Sequence, residues 1–359
     1  MQTQMDNTGT AAWAGGELTC AQGGGAGRVY VGAADGSVRA IAANEESGAD
    51  LPLAHPRWGL RACMEAVTSV CAVEAEQGAL LVCGSAGGEL VVLREELELR
   101  RFQLESAVQQ ICYDRDGEFV VGDALGNLYG VTQYEILWKT RLPAIAPREQ
   151  LGAECFYPVM VQPTVKAIAL AKLLDMESTL SNYVLVATGQ KHLLVTHRGK
   201  EFRTIPTRTP IETLASLPVG DGDAVLAAGE EGVIYRLVSY RDKSPKDRPD
   251  FRFATEVWAQ VSFPVAKLLP VRVPVSSTAA KPSEFSWLCL GVDGEVALFC
   301  GQERVKQWNA ASLSSTCGGE AGFPVDITAL RNSDANATLQ SGAIVFPDRI
   351  HTFPLELTS

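Results

Sequence analysis

The stretch EFVVGDALGNLYGVTQYEILWKTRLP, Glu118–Pro143, holds three short strands in succession. Phe119-Val120-Val121 is an apolar run closed by Gly122, and Gly126-Asn127 supplies a tight reversal. Leu128-Tyr129-Gly130-Val131 returns, and Ile136-Leu137-Trp138 follows a second turn. Runs of this length bounded by Gly and Asn predict an antiparallel meander. The apolar run Val108–Tyr113 just ahead supplies one more strand, so the unit is a four-stranded sheet.

The unit recurs. Its second-strand, turn and third-strand core reads seven times: Val29–Ile41, Leu80–Leu93, Phe119–Val131, Val184–His197, Val225–Val238, Trp287–Cys300 and Ala343–Leu355. A Gly closes the second strand at Gly32, Gly84, Gly122, Gly229 and Gly291, and a second Gly marks the turn at Gly36, Gly88, Gly126, Gly232 and Gly294. Turn glycines at this spacing allow the positive φ that a two-residue reversal needs. The fourth core has Gly189 one residue late, and the seventh has neither glycine.

After each of the first six cores comes one large aromatic: Trp58, Phe102, Trp138, Phe202, Trp258 and Trp308. These read as packing residues of fourth strands. The seventh copy runs out of chain, and Thr10–Ala14, with Trp13, is the strand expected to complete it. Such closure protects sheet edges. The expectation is therefore all-β: a seven-bladed, WD40-like β-propeller of four-stranded blades, closed by an N-terminal strand completing the last blade. Residues 1–9 read as a loose tail and residues 10–359 as one propeller.

Composition fits a large core and excludes several classes. Of 359 residues, 46% are hydrophobic, yet no run of 18 apolar residues suggests a membrane span. The start MQTQMDNTGT has no basic or apolar signal region. Nine cysteines without a CxxC pair read as reduced thiols of a cytoplasmic protein. A net charge of −11 argues against direct nucleic-acid binding.

Long insertions fall at Asn44–Pro56, Lys172–Asn182, Tyr240–Phe253 and Val271–Phe285, all between first and second or third and fourth strands. Those loops share one face of a propeller, and insertions in repeats tend to mark a binding face, although tolerated drift gives the same pattern. Within Lys172–Asn182, the stretch Leu173–Ser181 reads as a short helical turn. Tyr240–Phe253 is the most charged, and Arg241, Lys243, Lys246, Arg248, Phe251 and Phe253 are the candidate protein-binding residues. Two connections between blades, near Ala144–Phe156 and Ser312–Gly322, are also long.

Chemistry is sparse. The four histidines, His55, His192, His197 and His351, have no metal-ligand spacing, and no GxSxG or P-loop is present. Gly220-Asp221-Gly222-Asp223 lacks the ligand series of a calcium loop and reads as a turn. The predicted inner first strands carry Lys166, Glu212, Lys267 and Asp326 and little other charge, which is thin for catalysis. No catalytic residue, cofactor or metal is assigned.

One stretch carries a closer likeness. Val184–Leu237 includes His197-Arg198-Gly199-Lys200-Glu201-Phe202 and Ala228-Gly229-Glu230-Glu231-Gly232-Val233-Ile234-Tyr235. It resembles the propeller of the Bardet–Biedl syndrome (BBSome) subunits, which continue beyond their propellers into further domains. A basic-Gly-Lys turn ahead of an aromatic strand also occurs in other propeller scaffolds. The resemblance implies a non-enzymatic scaffold in ciliary or membrane trafficking, docked to other protein subunits and to a small Arf-like GTPase, in the cytoplasm or a cilium. An axonemal structural propeller and a channel-site enzyme or small-molecule binder are the competing readings.

Overall fold

A computed structural model describes residues 16–25, 27–42, 50–51, 53, 56–75, 78–145, 160–174, 180–219, 222–239, 253–271, 285–309, 323–331 and 340–355. They form seven antiparallel sheets, each a meander in chain order. Blade one is β1 (Leu18–Gly23), β2 (Arg28–Ala33), β3 (Ser37–Ala42) and β4 (Trp58–Arg61). Blade two is β5 (Val67–Val73), β6 (Leu80–Ser85), β7 (Glu89–Arg94) and β8 (Leu97–Gln103). Blade three follows as β9 (Val108–Tyr113), β10 (Phe119–Asp123), β11 (Asn127–Val131) and β12 (Ile136–Arg141). Blade four is β13 (Ala167–Leu174), β14 (Leu180–Ala187), β15 (His192–Thr196) and β16 (Phe202–Pro206). Blade five is β17 (Thr213–Val219), β18 (Gly222–Ala228), β19 (Val233–Ser239) and β20 (Phe253–Gln260). Blade six comprises β21 (Val265–Val271), β22 (Ser286–Gly291), β23 (Glu295–Cys300) and β24 (Glu303–Asn309), and blade seven β25 (Asp326–Arg331), β26 (Gln340–Val345) and β27 (Ile350–Pro354).

The first strands β1, β5, β9, β13, β17, β21 and β25 pack on one another in order, and β25 packs back on β1. This is a closed seven-bladed propeller with the first strands innermost. The strand expected at Thr10–Ala14 lies outside the described residues.

Local sequence dictates the blade. The turn glycines Gly36, Gly88, Gly126, Gly232 and Gly294 all sit at φ between 70° and 88°. At Gly36 a Cβ would also lie 2.1 Å from the Cys63 carbonyl oxygen, so both conformation and space demand glycine there. The strand-ending glycines have a different role. A Cβ on Gly84 would lie 2.3 Å from Val108 Cγ1, at the start of the next blade's inner strand. Gly84 therefore sets how closely blades two and three approach. The turn His197–Glu201 reverses through Arg198 and Gly199, at φ 47° and 66°.

The core lies between neighbouring blades. Second and third strands are almost entirely buried, and each of the six fourth-strand aromatics is half-buried on the outer wall. Trp287, in β22, is the exception among the described tryptophans: it is fully buried and stacks on Phe299 at 4.0 Å.

Two insertions differ from the sequence reading. Leu173–Leu174 and Leu180–Ser181 are strand rather than helical turn, because β13 and β14 stay paired out to Leu174 opposite Leu180. The expected helical centre, 175–179, lies outside the described residues. The Asn44–Pro56 insertion returns to the body. Leu51 and Leu53 are buried in the core shared by blades one and seven. The Leu51 N–H donates to the Ile350 carbonyl at 2.9 Å, and Asp50 bridges to His351 on the outer edge of β27. This part of the insertion clasps the first blade to the last.

Candidate functional site

The meander puts loops between first and second and between third and fourth strands on one face, here the upper face. The remaining loops and the blade connections lie on the lower face. A central channel of about 880 Å³ runs between them, walled by the seven inner strands.

The free edge of each inner strand faces this channel, where its N–H groups lack a ladder partner. Side chains of neighbouring blades fill that need. Ser69 Oγ accepts the Ile111 N–H at 3.1 Å, Gln110 Oε1 the Ile168 N–H at 2.5 Å, and Thr213 Oγ1 the Leu268 N–H at 3.3 Å. Gln22 Oε1 accepts the Ala72 N–H at 2.8 Å. Asp326 Oδ2 accepts the Ala21 N–H at 2.9 Å, and Thr328 Oγ1 the Gly23 N–H at 2.7 Å, which joins blade seven to blade one.

The four predicted inner-strand charges all line the channel, toward its lower mouth, and they are paired. Lys166 meets Glu212 at 3.6 Å between blades four and five, and Lys267 pairs with Asp326 between blades six and seven. Every gap between blades is therefore bridged by a channel side chain. At the upper mouth Arg115, itself at φ 70°, reaches past blade four to Asp223 of blade five at 3.3 Å. Asp223 also accepts the Lys172 N–H at 2.7 Å, and Asn182 Nδ2 donates to Asp116 at 2.7 Å. Asp223, read as part of a turn, is the second residue of β18, opposite Pro218, and adds a contact between blades; 220–221 lie outside the described residues.

Cys20, Cys71 and Cys112 also stand in the channel wall. Burial pushes the Cys20 and Cys112 thiols up to about 12, and Cys71 higher still. They are neutral at physiological pH, and Cys112 donates to the Ile168 carbonyl at 3.2 Å. Thiolate chemistry is thereby suppressed. Among the described residues no group of three or more His, Cys, Asp or Glu side chains is arranged to hold a metal ion.

Arg241, Lys243, Lys246, Arg248 and Phe251 lie outside the described residues. Phe253 opens β20 and is buried, edge-on to Tyr183 at 5.9 Å. Phe285, at the end of the blade-six insertion, stacks on Trp258 at 5.9 Å, with the Arg236 guanidinium 4.5 Å from the Trp258 ring. Both aromatics fold back on the body.

Exposed apolar side chains are prominent on the lower face instead: Met64, Leu125, Met160, Val161, Val292, Phe323 and Val325. Sequence reading also missed Asp123. It is fully buried and accepts from the Leu125 and Asn127 N–H groups, Asn127 Nδ2 and the Tyr129 hydroxyl. Its position between Gly122 and the Gly126 turn was the available signal. Among the described residues no helix is long and apolar enough to cross a membrane.

No protein-family model and no curated protein sequence matches the chain. Solved structures do. The chain is similar to BBS1N in complex with ARL6DN, in crystals soaked with lead, at 12% identity over 98% of this chain and 96% of that one, with a TM-score of 0.61. The mercury-soaked form gives 11% identity over 97% and 94%, with a TM-score of 0.59. The Cps50 (Swd1) β-propeller domain from Myceliophteria thermophila is similar at 13% identity over 94% and 96%, with a TM-score of 0.62. The likeness establishes the shared fold: a divergent, WD40-like seven-bladed propeller.

Proposed function

We propose that this chain is a non-catalytic scaffold, a propeller subunit of a multi-protein assembly in ciliary or membrane trafficking. The observation that carries the reading is the use of the channel. Its four inner-strand charges are spent on one another across blade gaps, and its other polar groups latch neighbouring strands. A catalytic channel would instead converge acids, bases or cations on a substrate. The likeness to BBS1N, crystallised with ARL6DN, supports a small Arf-like GTPase among the partners. Arg241, Lys243, Lys246, Arg248 and Phe251 are the proposed upper-face contacts, with Phe253 buried at the root of their insertion.

The test is a gentle purification of the tagged full chain with mass spectrometry of stoichiometric companions, followed by pull-down with an Arf-like GTPase loaded with GTP or GDP. A defined set of subunits, reduced by deleting 240–252, is expected. Recovery of the chain alone as a monomer would refute the scaffold reading.

A further inference from the structure

Two buried cysteines meet between blades one and two. Cys63, on the connection 62–66, and Cys83, in β6, are both buried in one apolar cluster, and their thiols are hydrogen-bonded. The Cys63 N–H donates to the Gly36 carbonyl at 3.0 Å, which pins the connection. Arg101 donates from Nη2 to the Ala62 carbonyl at 2.8 Å and from Nη1 to Glu89 at 2.5 Å. Glu89 in turn accepts the Met64 N–H at 2.6 Å. A cation is thus locked against the residues flanking Cys63. The Ser85 hydroxyl, which accepts the Glu89 N–H at 3.1 Å, also reaches the Cys63 sulfur. The Cys83 S–H has the Val91 carbonyl as a second acceptor at 3.5 Å.

These neighbours set the two thiols apart. The hydrogen bond from Cys83 holds Cys63 below the ordinary thiol range, opposed by burial and Glu89 and helped by Arg101 and Ser85. The same bond, together with burial, pushes Cys83 well up. Cys20, Cys71, Cys112 and Cys289 are all raised by burial and have no cation locked beside them in this way. An activated thiol in contact with a protonated one is the arrangement that reacts with a peroxide and then closes a disulfide. The cover over Cys63 is thin, because Arg61, Met64 and Glu65 beside it are exposed, Met64 by 73%. A small local opening of this connection admits a water-sized oxidant.

We propose that Cys63 and Cys83 form a redox modification site, where a hydroperoxide oxidises Cys63 and Cys83 resolves it to a disulfide joining the blade-one connection to β6. The Cys63 thiolate attacks a peroxide oxygen and the O–O bond breaks. The departing hydroxide takes up the proton that Cys63 released and leaves as water. The Cys83 sulfur then attacks the Cys63 sulfenic acid, the S–O bond breaks, and the S–S bond forms as the Cys83 proton leaves with the hydroxide in a second water. The two sulfurs lose two electrons between them, and the peroxide gains them. This site stands independently of the scaffold reading.

The test exposes the reduced full chain to equimolar hydrogen peroxide, blocks remaining thiols with iodoacetamide in denaturant, and maps non-reduced peptides by mass spectrometry. A Cys63–Cys83 peptide should appear ahead of oxidation at Cys20, Cys112 or Cys289 and vanish with dithiothreitol. Cys83→Ala should halt the reaction at a sulfenic acid that dimedone captures on Cys63. Cys63→Ala should slow oxidation of Cys83 by about tenfold or more, as a raised thiol without an activated neighbour requires. Arg101→Gln should move the pH profile of Cys63 oxidation upward, which mere loosening of the connection would not do. The wild-type map decides the matter even where a variant fails to fold. Absence of the Cys63–Cys83 peptide from the folded chain, its appearance only in denaturant, or a Cys20–Cys83 peptide in its place would overturn the proposal.

Discussion

Asp326 is the side chain on which closure of the ring most depends. Its carboxylate accepts the Ala21 N–H at 2.9 Å and its neighbour Ile327 N–H at 2.8 Å, and it pairs with Lys267. One buried group thus ties blade seven to blades one and six. Asp326→Ala would leave the Ala21 N–H without an acceptor, a loss of about 1.5–3 kcal/mol for a bond to a charged group. The Lys267 pair adds about 0.5–1 kcal/mol, discounted because the lysine side chain is 35% exposed. The total is about 3 kcal/mol. At about 2.1 cal/mol/K per residue, unfolding a chain of this size has an entropy near 0.75 kcal/mol/K, so Tm should fall by about 4 °C. Glu212→Ala makes the comparison. Its partner Lys166 stands off at 3.6 Å and is 48% exposed, so the cost is below about 1 kcal/mol and the shift about 1 °C. Differential scanning calorimetry on both variants decides the matter. A Tm for Asp326→Ala within 1 °C of wild type, or an equal fall for Glu212→Ala, would refute the assignment of the channel charges to blade closure.

Asp123→Ala should destabilise by more than about 3 kcal/mol in denaturant titration, since it orphans several buried donors at once. Trp287→Ala should cost about 3–5 kcal/mol by the same measurement, because the fully buried ring leaves a cavity beside Phe299. The buried thiols give a pH signature. With Cys20 and Cys112 raised from 9.0 to about 12, both states hold the protons below pH 9 and stability there is flat. Above pH 9 the unfolded chain releases protons that the folded chain keeps, so stability falls by about 1.4 kcal/mol per thiol by pH 10. Iodoacetamide at pH 8 should accordingly leave Cys20 and Cys112 unmodified in the native chain, as read by peptide mass mapping.

Most of the architecture was legible because one blade repeats. Val67–Val73 and Val108–Tyr113 are inner strands with the bounds expected from sequence, and all five turn glycines adopt the predicted positive φ. The channel was legible only by its charges. Gln22, Ser69, Gln110, Thr213 and Thr328 are uncharged residues, each with at least one other polar residue in its strand. Nothing in one such strand distinguishes a latch from a solvent-facing residue, although a polar residue recurring in the first strands of several blades was a usable signal. The insertions misled for another reason. Length and polarity at Asn44–Pro56 suggested a displayed loop, but Leu51 and Leu53 outweigh the polar residues once a core lies within reach. Ile136 and Leu137 were hidden in the opposite way, because both read as ordinary strand residues and only the structure shows them uncovered.

These two reversals bear on where a partner can act. A propeller whose channel groups are already used to hold inner strands together offers little there for a ligand to gain, since any new contact must first replace an existing one. Binding free energy is available where apolar area still faces water, and here that means the lower loops and the exposed apolar residues on the outer hairpins of blades two and three. The closed ring fixes both surfaces relative to one another through the same side chains that occupy the channel. Loosening Asp326 should therefore cost stability first, and impair partner binding only to the extent that the blades shift.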